Sequence, residues 1–344
     1  MRSYLENRFQ RVVIKDDMHP LTASRWEKVE HGVPQGSVLG PLLFLIYIND
    51  LAQIIRNIAR PILFADDTSI IISNGDTQEF KNTIETVMDI IINWFQNNLL
   101  SMNYEKTHFL QFLTKQRNRL NIQIIAPDSI IPNVNSTKFL GLTMDRTLSW
   151  KGHTCELSVK LNKACYAVRT IKSFMSLKAL KTVYFSYFHS IMSYGVIFWG
   201  NSCASKDIFK IQKRMIRILT DTPGRDSCRH LFKQLQILML PSQYIYSLLI
   251  FVVKNGDLFS FNSEVHNLHP RLKNDLHLLS TNLTLVQRGV LYSGSRIFNH
   301  LPLQIKNHSG NLKSFKRKLK NFLVEHALYS LDEFYQLTPS DWSY

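Results

Sequence analysis

Cysteine is scarce in this 344-residue sequence, and its four cysteines, Cys155, Cys165, Cys203 and Cys228, form no CxxC pair. This spacing argues against a structural zinc site and against a disulfide-stabilised scaffold. Free thiols of this kind are typical of core residues in a reducing compartment. The twelve histidines include no HxxxH spacing, so metal-ligating pairs of that type are missing as well.

Long hydrophobic runs are missing too. The longest, Val38 to Ile48, is interrupted by Gly40 and Pro41 and falls short of the ~18 residues that a membrane-spanning helix needs. The amino-terminal residues lack the apolar core of a signal peptide, and the chain contains no internal repeat or low-complexity tract. These features predict a globular intracellular protein, of the cytoplasm or nucleus, with no membrane partner.

Basic residues exceed acidic ones, with 41 Lys and Arg against 26 Asp and Glu and a formal net charge of +15. A globular chain with this excess favours a polyanionic partner, most simply nucleic acid. The charge is unevenly spread, because residues 1–100 hold 9 basic and 12 acidic side chains and the rest hold 32 and 14. An acidic part suited to cations thus precedes a basic part suited to phosphates. A membrane-surface protein and a basic tail of another kind are the competing interpretations.

Two adjacent carboxylates, Asp66 and Asp67, stand between the apolar runs 61–64 and 70–72. The pattern predicts strand, tight turn and strand, with both carboxylates at the hairpin tip. Burying paired negative charge there is costly unless a cation neutralises it, and Mg²⁺ prefers carboxylate oxygens. The alternative is a solvated turn, in which Asp is a common residue.

A glycine- and proline-marked segment, Gly32 to Pro41, precedes these carboxylates and has the sequence GVPQGSVLGP. Pro34 fixes one backbone dihedral, and Gly36 lets backbone come close to a base or sugar. The Gln35 amide can donate and accept hydrogen bonds, as a group that contacts a template nucleotide must. The alternative is a plain turn followed by a helix that begins at Ser37 or Gly40.

Together the two segments resemble the palm of a reverse transcriptase from a non-LTR retrotransposon of the jockey and CR1 type. In that family GVPQGSVLGP is the template- and nucleotide-positioning loop with the helix after it, and FADD is the metal-binding hairpin. The resemblance implies two-metal nucleotidyl transfer with Mg²⁺ or Mn²⁺, an RNA template, a DNA primer and deoxynucleoside triphosphates. The implied metal ligands are Asp66 and Asp67, and the implied nucleotide- or template-binding residues are Gln35, Gly36, Ser37, Phe64 and Ala65.

Two further segments match the family downstream. Lys106 stands where the family places a lysine near the incoming triphosphate, so it is a candidate general acid for the leaving pyrophosphate. Its alternative is a solvated lysine at a strand edge.

Phe139, Leu140 and Gly141 resemble the primer-grip turn, where a glycine allows backbone to approach the primer 3′ end. The alternative is a strand glycine that marks a bulge.

Apolar periodicity outlines the elements around these motifs. Residues 37–55 are predicted to form a helix that is apolar on nearly every face and therefore buried. Asp16-Asp17 lacks apolar flanks and is predicted to be an ordinary turn. The other predicted elements are a hairpin over 9–30, strands over 106–112, 122–125 and 138–144, a polar linker over 266–284, and helices over 77–99, 154–174, 177–193, 206–219, 242–254 and from 313.

The predicted fold class is α+β: an incomplete polymerase palm, of antiparallel sheet plus helices, followed by a mainly helical thumb and a C-terminal region. The predicted bounds are 1–147 for the palm, 148–260 for the basic thumb-like region and 261–344 for the linker and basic tail. Lys210, Lys213, Arg214 and Arg217 in the helix over 206–219 and the basic run Lys313 to Lys320 are candidates for phosphate contacts without sequence readout.

The family pattern has one departure. Palms of this kind carry a further Asp upstream of the positioning loop that bridges both metal ions, and in this sequence the corresponding strand would precede Met1. We therefore expect an amino-terminally truncated enzyme with little or no polymerase activity alone, because this chemistry depends on positioning and charge stabilisation. The alternatives are a non-catalytic nucleic-acid-binding remnant and a decayed reading frame without a role.

Overall fold

The computed structural model describes residues 2–16, 19–114, 120–127, 129–224, 226–265 and 275–338. They fall into two compact units, Met1–His108 with Asn121–Pro132, and Phe109–Leu120 with Asn133–Tyr344. Asp17 of the predicted turn and residues 266–274 of the predicted linker lie outside the described residues. The described elements are both helical and extended, which agrees with an α+β class.

The first unit contains three helices and eight strands among its described residues. The helices are α1 (Arg2–Leu5), α2 (Leu39–Ile55) and α3 (Thr77–Asn97). The strands are β1 (Phe9–Gln10), β2 (Val13–Asp16), β3 (His19–Ala23), β4 (Glu27–Lys28), β5 (Arg60–Phe64), β6 (Asp67–Ile71), β7 (Ile124–Ala126) and β8 (Ser129–Ile131). The hairpin expected over 9–30 is thus two nested antiparallel pairs, β1 with β4 and β2 with β3.

The described strands do not join into one antiparallel sheet, not even the incomplete palm sheet that the sequence predicted. They form separate two-stranded sheets, β5 with β6 and β7 with β8 in the first unit. The strand predicted over 106–112 is also wrong, because residues 104–106 form a turn and Phe109 makes only an isolated bridge. In that turn the Lys106 N–H donates to the main-chain and side-chain oxygens of Asn103, a local bond that competes with strand pairing.

A small apolar core joins α2 and α3 beneath the β5–β6 hairpin. Leu51 and Ile55 of α2 are fully buried against Val87, Ile91 and Trp94 of α3. The α3 helix begins where the Asp76 carboxylate accepts hydrogen bonds from the N–H groups of Gln78 and Glu79. This core fixes the hairpin on the helix that follows the positioning loop.

The expectation that α2 is buried on nearly every face is wrong for the described residues. Leu42, Leu45 and Ile46 are each at least half exposed, on the side of α2 that faces away from α3. The helix has apolar residues all round, but the described neighbours cover one side only.

The second unit is mainly helical after one hairpin, β9 (Ser136–Phe139) with β10 (Leu142–Asp145). Its helices are α4 (Lys151–Ile171), α5 (Leu177–Val183), α6 (Ser190–Ser193), α7 (Val196–Trp199), α8 (Ser205–Thr220), α9 (Arg229–Leu235), α10 (Leu240–Lys254), α11 (Asn262–Val265), α12 (Thr284–Gln287), α13 (Val290–His300), α14 (Leu303–Lys306), α15 (Leu312–His326) and α16 (Leu331–Gln336). A π-helical segment, Tyr184–His189, connects α5 to α6, so the helix predicted over 177–193 forms with one irregular stretch.

One apolar cluster runs through this unit from Leu142 to Phe334. Helix α4 packs on α8, and α10 packs on both α13 and α15. Residues of the stretches 148–260 and 261–344 therefore share a core. Inside it the buried Gln212 amide donates to Tyr184 Oη at 3.0 Å and to Leu238 O at 2.9 Å, and its Oε1 accepts from the Leu240 N–H.

Among the described residues, no single helix combines the length and apolar character of a membrane span. Taken together, α9 and α10 have that length and apolar character, but the two helices meet at a bend of 50°.

We predict that Leu51→Ala destabilises the first unit far more than Leu45→Ala. Leu51 is fully buried and its truncation leaves a cavity, which costs ~2–5 kcal/mol. Leu45, on the same helix, is 50% exposed, so its truncation serves as the matched control. Native-state hydrogen exchange of the α2 amides measures the difference, and equal losses in both variants would show that the described core is wrong.

Candidate functional site

The candidate hairpin brings its two carboxylates to one tip. Antiparallel pairing of β5 and β6 places Phe64 opposite Asp67, so Ala65 and Asp66 form a two-residue turn. Ala65 has φ of 52°, a left-handed conformation that is unfavourable for a residue with a side chain. A strained tight turn at this point holds Asp66 and Asp67 next to each other where the two strands meet.

The tip is open to solvent. Phe64, Ala65, Asp66 and Asp67 are all exposed, with Phe64 58% accessible. The expected cost of burying paired negative charge is therefore not present in this structure, since water reaches both carboxylates. The residues of the strands behind the tip, such as Leu63 and Ile70, pack against the α2–α3 core.

The donor set at the tip suits a hard divalent cation. Two carboxylates, with water and substrate phosphates, are the ligands that Mg²⁺ ordinarily takes in enzymes that handle nucleotides. No group of three or more His, Cys, Asp or Glu side chains within the described ranges is arranged to hold a metal ion. Asp66 and Asp67 thus offer two neighbouring carboxylates, and no third described His, Cys, Asp or Glu side chain groups with them.

The positioning loop is shaped by glycine and held by an amino-terminal arm. Gly36 has φ of +80° in a turn closed by the Ser37 N–H, which donates to Pro34 O at 3.2 Å. Ser37 Oγ accepts from the Gly40 N–H at 3.1 Å, and α2 begins between these two residues, at Leu39. The side chain of Gln35 is exposed and, in the described part of the chain, has no partner, so it is available to a ligand.

Two residues that were not singled out as site residues in the sequence anchor this loop. Arg8 Nη2 donates to Gly32 O at 2.6 Å, and Tyr4 Oη donates to Ser37 Oγ. Ser37 therefore has a structural role alongside any contact with a ligand. A pairing between residues 33 apart in the chain leaves no periodic signal in the sequence.

Lys106 lies in the same unit as the hairpin and the loop. Its side chain is exposed in the turn 104–106, not at a strand edge. The first unit thus contains the candidate metal ligands, the positioning loop and the candidate acid.

The candidate primer-grip residues lie in the second unit, in the turn between β9 and β10. Leu140 and Gly141 have φ of 45° and 81°, and two central residues with positive φ define a tight type I′ hairpin. Tyr194 Oη donates to Leu140 O, and a Cβ atom on Gly141 would lie 3.4 Å from the Tyr194 ring. Phe139 ends β9 and is half-buried. Tyr194, which the sequence did not single out, covers this turn.

Asp145 stabilises the other end of the same hairpin. Its carboxylate accepts hydrogen bonds from the N–H groups of Thr147, Ser149 and Trp150 at 2.9–3.1 Å. Burial opposes ionisation of Asp145, but these bonds and the Thr147 hydroxyl outweigh it and lower the pKa of the carboxyl. The charged side chain therefore fixes the start of α4, which is a structural role.

The cations of α8 are engaged within the protein. Lys210 pairs with Asp207 at 2.8 Å, and Lys213 lies 4.9 Å from the centre of the Phe209 ring. Arg214 donates to Asn162 Oδ1 at 3.0 Å, and Arg217 donates to Asp226 O at 2.8 Å. All four candidate phosphate-binding residues of α8 therefore have partners within the protein.

A recess of about 610 Å³ lies at the start of β5, near the carboxyl end of α2. Its lining includes Arg56 and Arg60 but none of the residues proposed for catalysis. The recess is at the end of β5 away from the Asp66–Asp67 tip, so it does not mark the candidate active site.

Comparison with known proteins adds independent findings. Residues 5–144 match the family model described as reverse transcriptase (RNA-dependent DNA polymerase). The chain is 28% identical over 234 residues to the probable RNA-directed DNA polymerase from transposon BS of Drosophila melanogaster, covering 65% of this chain and 25% of that protein. It is 28% identical over 228 residues to the corresponding X-element protein of the same organism, covering 64% and 24%.

A third relative is the RNA-directed DNA polymerase from mobile element jockey of Drosophila melanogaster, with 22% identity over 252 residues, or 69% of this chain and 26% of that protein. These findings confirm the resemblance drawn from the two motifs. The matched part of the chain spans about a quarter of the length of these relatives. No solved structure matches the chain.

We predict that Gly141→Ala destabilises the β9–β10 hairpin by ~1–2 kcal/mol, since alanine at φ of 81° is strained even though its Cβ would make only ordinary van der Waals contact with Tyr194. Gly256→Ala is the control, because a Cβ atom there meets nothing within 4 Å and its φ is not positive. Chemical denaturation measures both, and a neutral Gly141→Ala would contradict the described turn.

Proposed function

We propose that the chain is part of an RNA-directed DNA polymerase of a non-LTR retrotransposon, because residues 5–144 match the reverse transcriptase family model and the polymerase of mobile element jockey is among its relatives. The observation that carries the proposal is the pair of adjacent carboxylates, Asp66 and Asp67, at an exposed tight turn in the same unit as the positioning loop. The reaction is addition of deoxynucleotides to a DNA primer on an RNA template.

In this proposal each part of the first unit has one task. Asp66 and Asp67 would hold Mg²⁺ or Mn²⁺, which supplies charge neutralisation at the transferring phosphoryl group. Gln35 and Gly36 would position the template and nucleotide, with Ser37 fixing the loop to α2. Phe64 and Ala65 would contact the nucleotide at the exposed hairpin tip.

Lys106 and the β9–β10 turn complete the proposed assignment. The ammonium of Lys106, exposed in its turn, would hold and donate a proton to the leaving pyrophosphate. Phe139, Leu140 and Gly141 would contact the primer through the main chain of their tight turn, on the side that Tyr194 does not cover. We further propose that residues 1–147 are a partial palm, 148–260 a thumb-like region and 261–344 a basic tail region.

The second candidate function is nucleic-acid binding without catalysis. The observation that favours it is that Asp66 and Asp67 have no third carboxylate near them in the described part of the chain. Two ligands on one hairpin neutralise and align two divalent ions poorly. We therefore expect that the purified chain alone extends a primer weakly or not at all.

Metal binding tests the assignment of the tip. Mg²⁺ at ten times its dissociation constant should stabilise the chain by about 1.4 kcal/mol, measured as a rise in Tm. The double substitution Asp66→Asn and Asp67→Asn should abolish the rise, whereas Asp89→Asn, an exposed carboxylate on α3, should keep it. An equal rise in the double variant would remove the basis for the proposed function.

Primer extension separates the two candidate functions. With an RNA template, a DNA primer and deoxynucleotides, we expect the chain to give little Mg²⁺-dependent extension. Robust extension that Asp66→Asn removes would contradict the expected inactivity and establish the enzyme. Salt-sensitive binding of the template–primer that is indifferent to Asp66→Asn, without extension under any condition, is the result that the binding-only function predicts.

A further inference from the structure

Helix α15 presents basic side chains in a stripe along one side. Lys313, Lys316, Arg317 and Lys320 stand at i, i+3, i+4 and i+7, the spacing that places residues on one helical face. Seven residues of helix rise about 10 Å, so four positive charges occupy a short line. We call these four residues the α15 stripe.

The apolar face of α15 is fixed in the core. Phe315, Leu319 and Leu323 are fully buried and belong to the large apolar cluster of the second unit. Asn311 caps the helix, because its side chain accepts from the Ser314 N–H at 3.1 Å. The stripe is therefore held on a rigid element with its orientation set by packing.

The stripe has no protein counter-charge in the described part of the chain. Lys313, Arg317 and Lys320 are exposed and Lys316 is half-buried, and none of the four forms an ion pair or side-chain hydrogen bond there. The contrast is α8, where all four candidate cations have protein partners. Unpaired cations at this density repel one another, and a polyanion relieves that repulsion.

We propose that the α15 stripe binds the phosphate backbone of a nucleic-acid duplex. This inference rests on the proposed function only for the choice of duplex as the ligand. Phosphates on one strand follow each other every ~3.4 Å along the duplex axis, so a 10 Å line of cations matches about three of them. A membrane surface fits less well, because the apolar side chains of α15 face the core and leave no insertion face.

The test is the salt dependence of binding to a fluorescein-labelled 16-base-pair DNA duplex, measured by anisotropy in EDTA. Replacing all four stripe residues by Gln should reduce the slope of log K against log salt by roughly 3 to 4, since each phosphate contact contributes about 0.9. The matched control replaces Lys210, Lys213, Arg214 and Arg217 of α8 by Gln, and it should change the slope much less. A third variant, Lys313→Arg, Lys316→Arg and Lys320→Arg, keeps the charge and should keep the slope.

The outcomes separate this inference from its competitors. An unchanged slope in the stripe variant would overturn the proposal, because the stripe would then make no phosphate contact. An equal loss of slope in the α8 variant would also overturn it, because total charge would then explain the binding. It would likewise fall if the stripe variant lost binding to vesicles containing phosphatidylserine while keeping its affinity for the duplex. The assay contains no metal ion and no deoxynucleoside triphosphate. Its result therefore does not depend on whether Asp66 and Asp67 support catalysis.

Discussion

The pairing of Phe64 with Asp67 across the β5–β6 hairpin is the contact on which the candidate site depends. That register leaves only Ala65 and Asp66 for the turn, and so fixes two carboxylates side by side at an exposed tip. The strain at Ala65 is held by the apolar contacts of the strands with α2 and α3. A shift by one residue would turn the side chains of one strand to the other face and separate the carboxylates.

Exposure changes the physical reason for expecting a cation at this tip. Two solvated carboxylates repel each other weakly, so the structure itself does not require a counter-ion. What favours a metal is the donor chemistry, together with the exposed Gln35 and Lys106 in the same unit. Catalysis then requires ligands and substrate phosphates that bring the charges into a less solvated setting.

Periodicity in the sequence predicted α2, α3, α4, α8, α10 and α15 well, because each has a continuous apolar face. Periodicity failed at residues 104–106, where hydrogen bonds between near neighbours determine the structure. The main-chain and side-chain oxygens of Asn103 accept from the Lys106 N–H, and a turn forms in place of the expected strand. The FADD and GVPQGSVLGP motifs identified the hairpin and loop, but not Tyr4, Arg8 or Tyr194, which act through long-range contacts. The sequence offered the cations of α8 and of α15 alike as candidates for phosphate contacts, and only the contacts of the α8 cations distinguish the two helices.

Paramagnetic broadening by Mn²⁺ shows whether the β5–β6 hairpin tip binds a metal ion. In nuclear magnetic resonance spectra of the full chain, substoichiometric Mn²⁺ should broaden the amide signals of residues 64–68 first. The Asp66→Asn and Asp67→Asn double variant should lose that selectivity. Broadening that is uniform across exposed acidic residues, or that centres on another cluster, would contradict the claim that this hairpin tip is a metal-binding site.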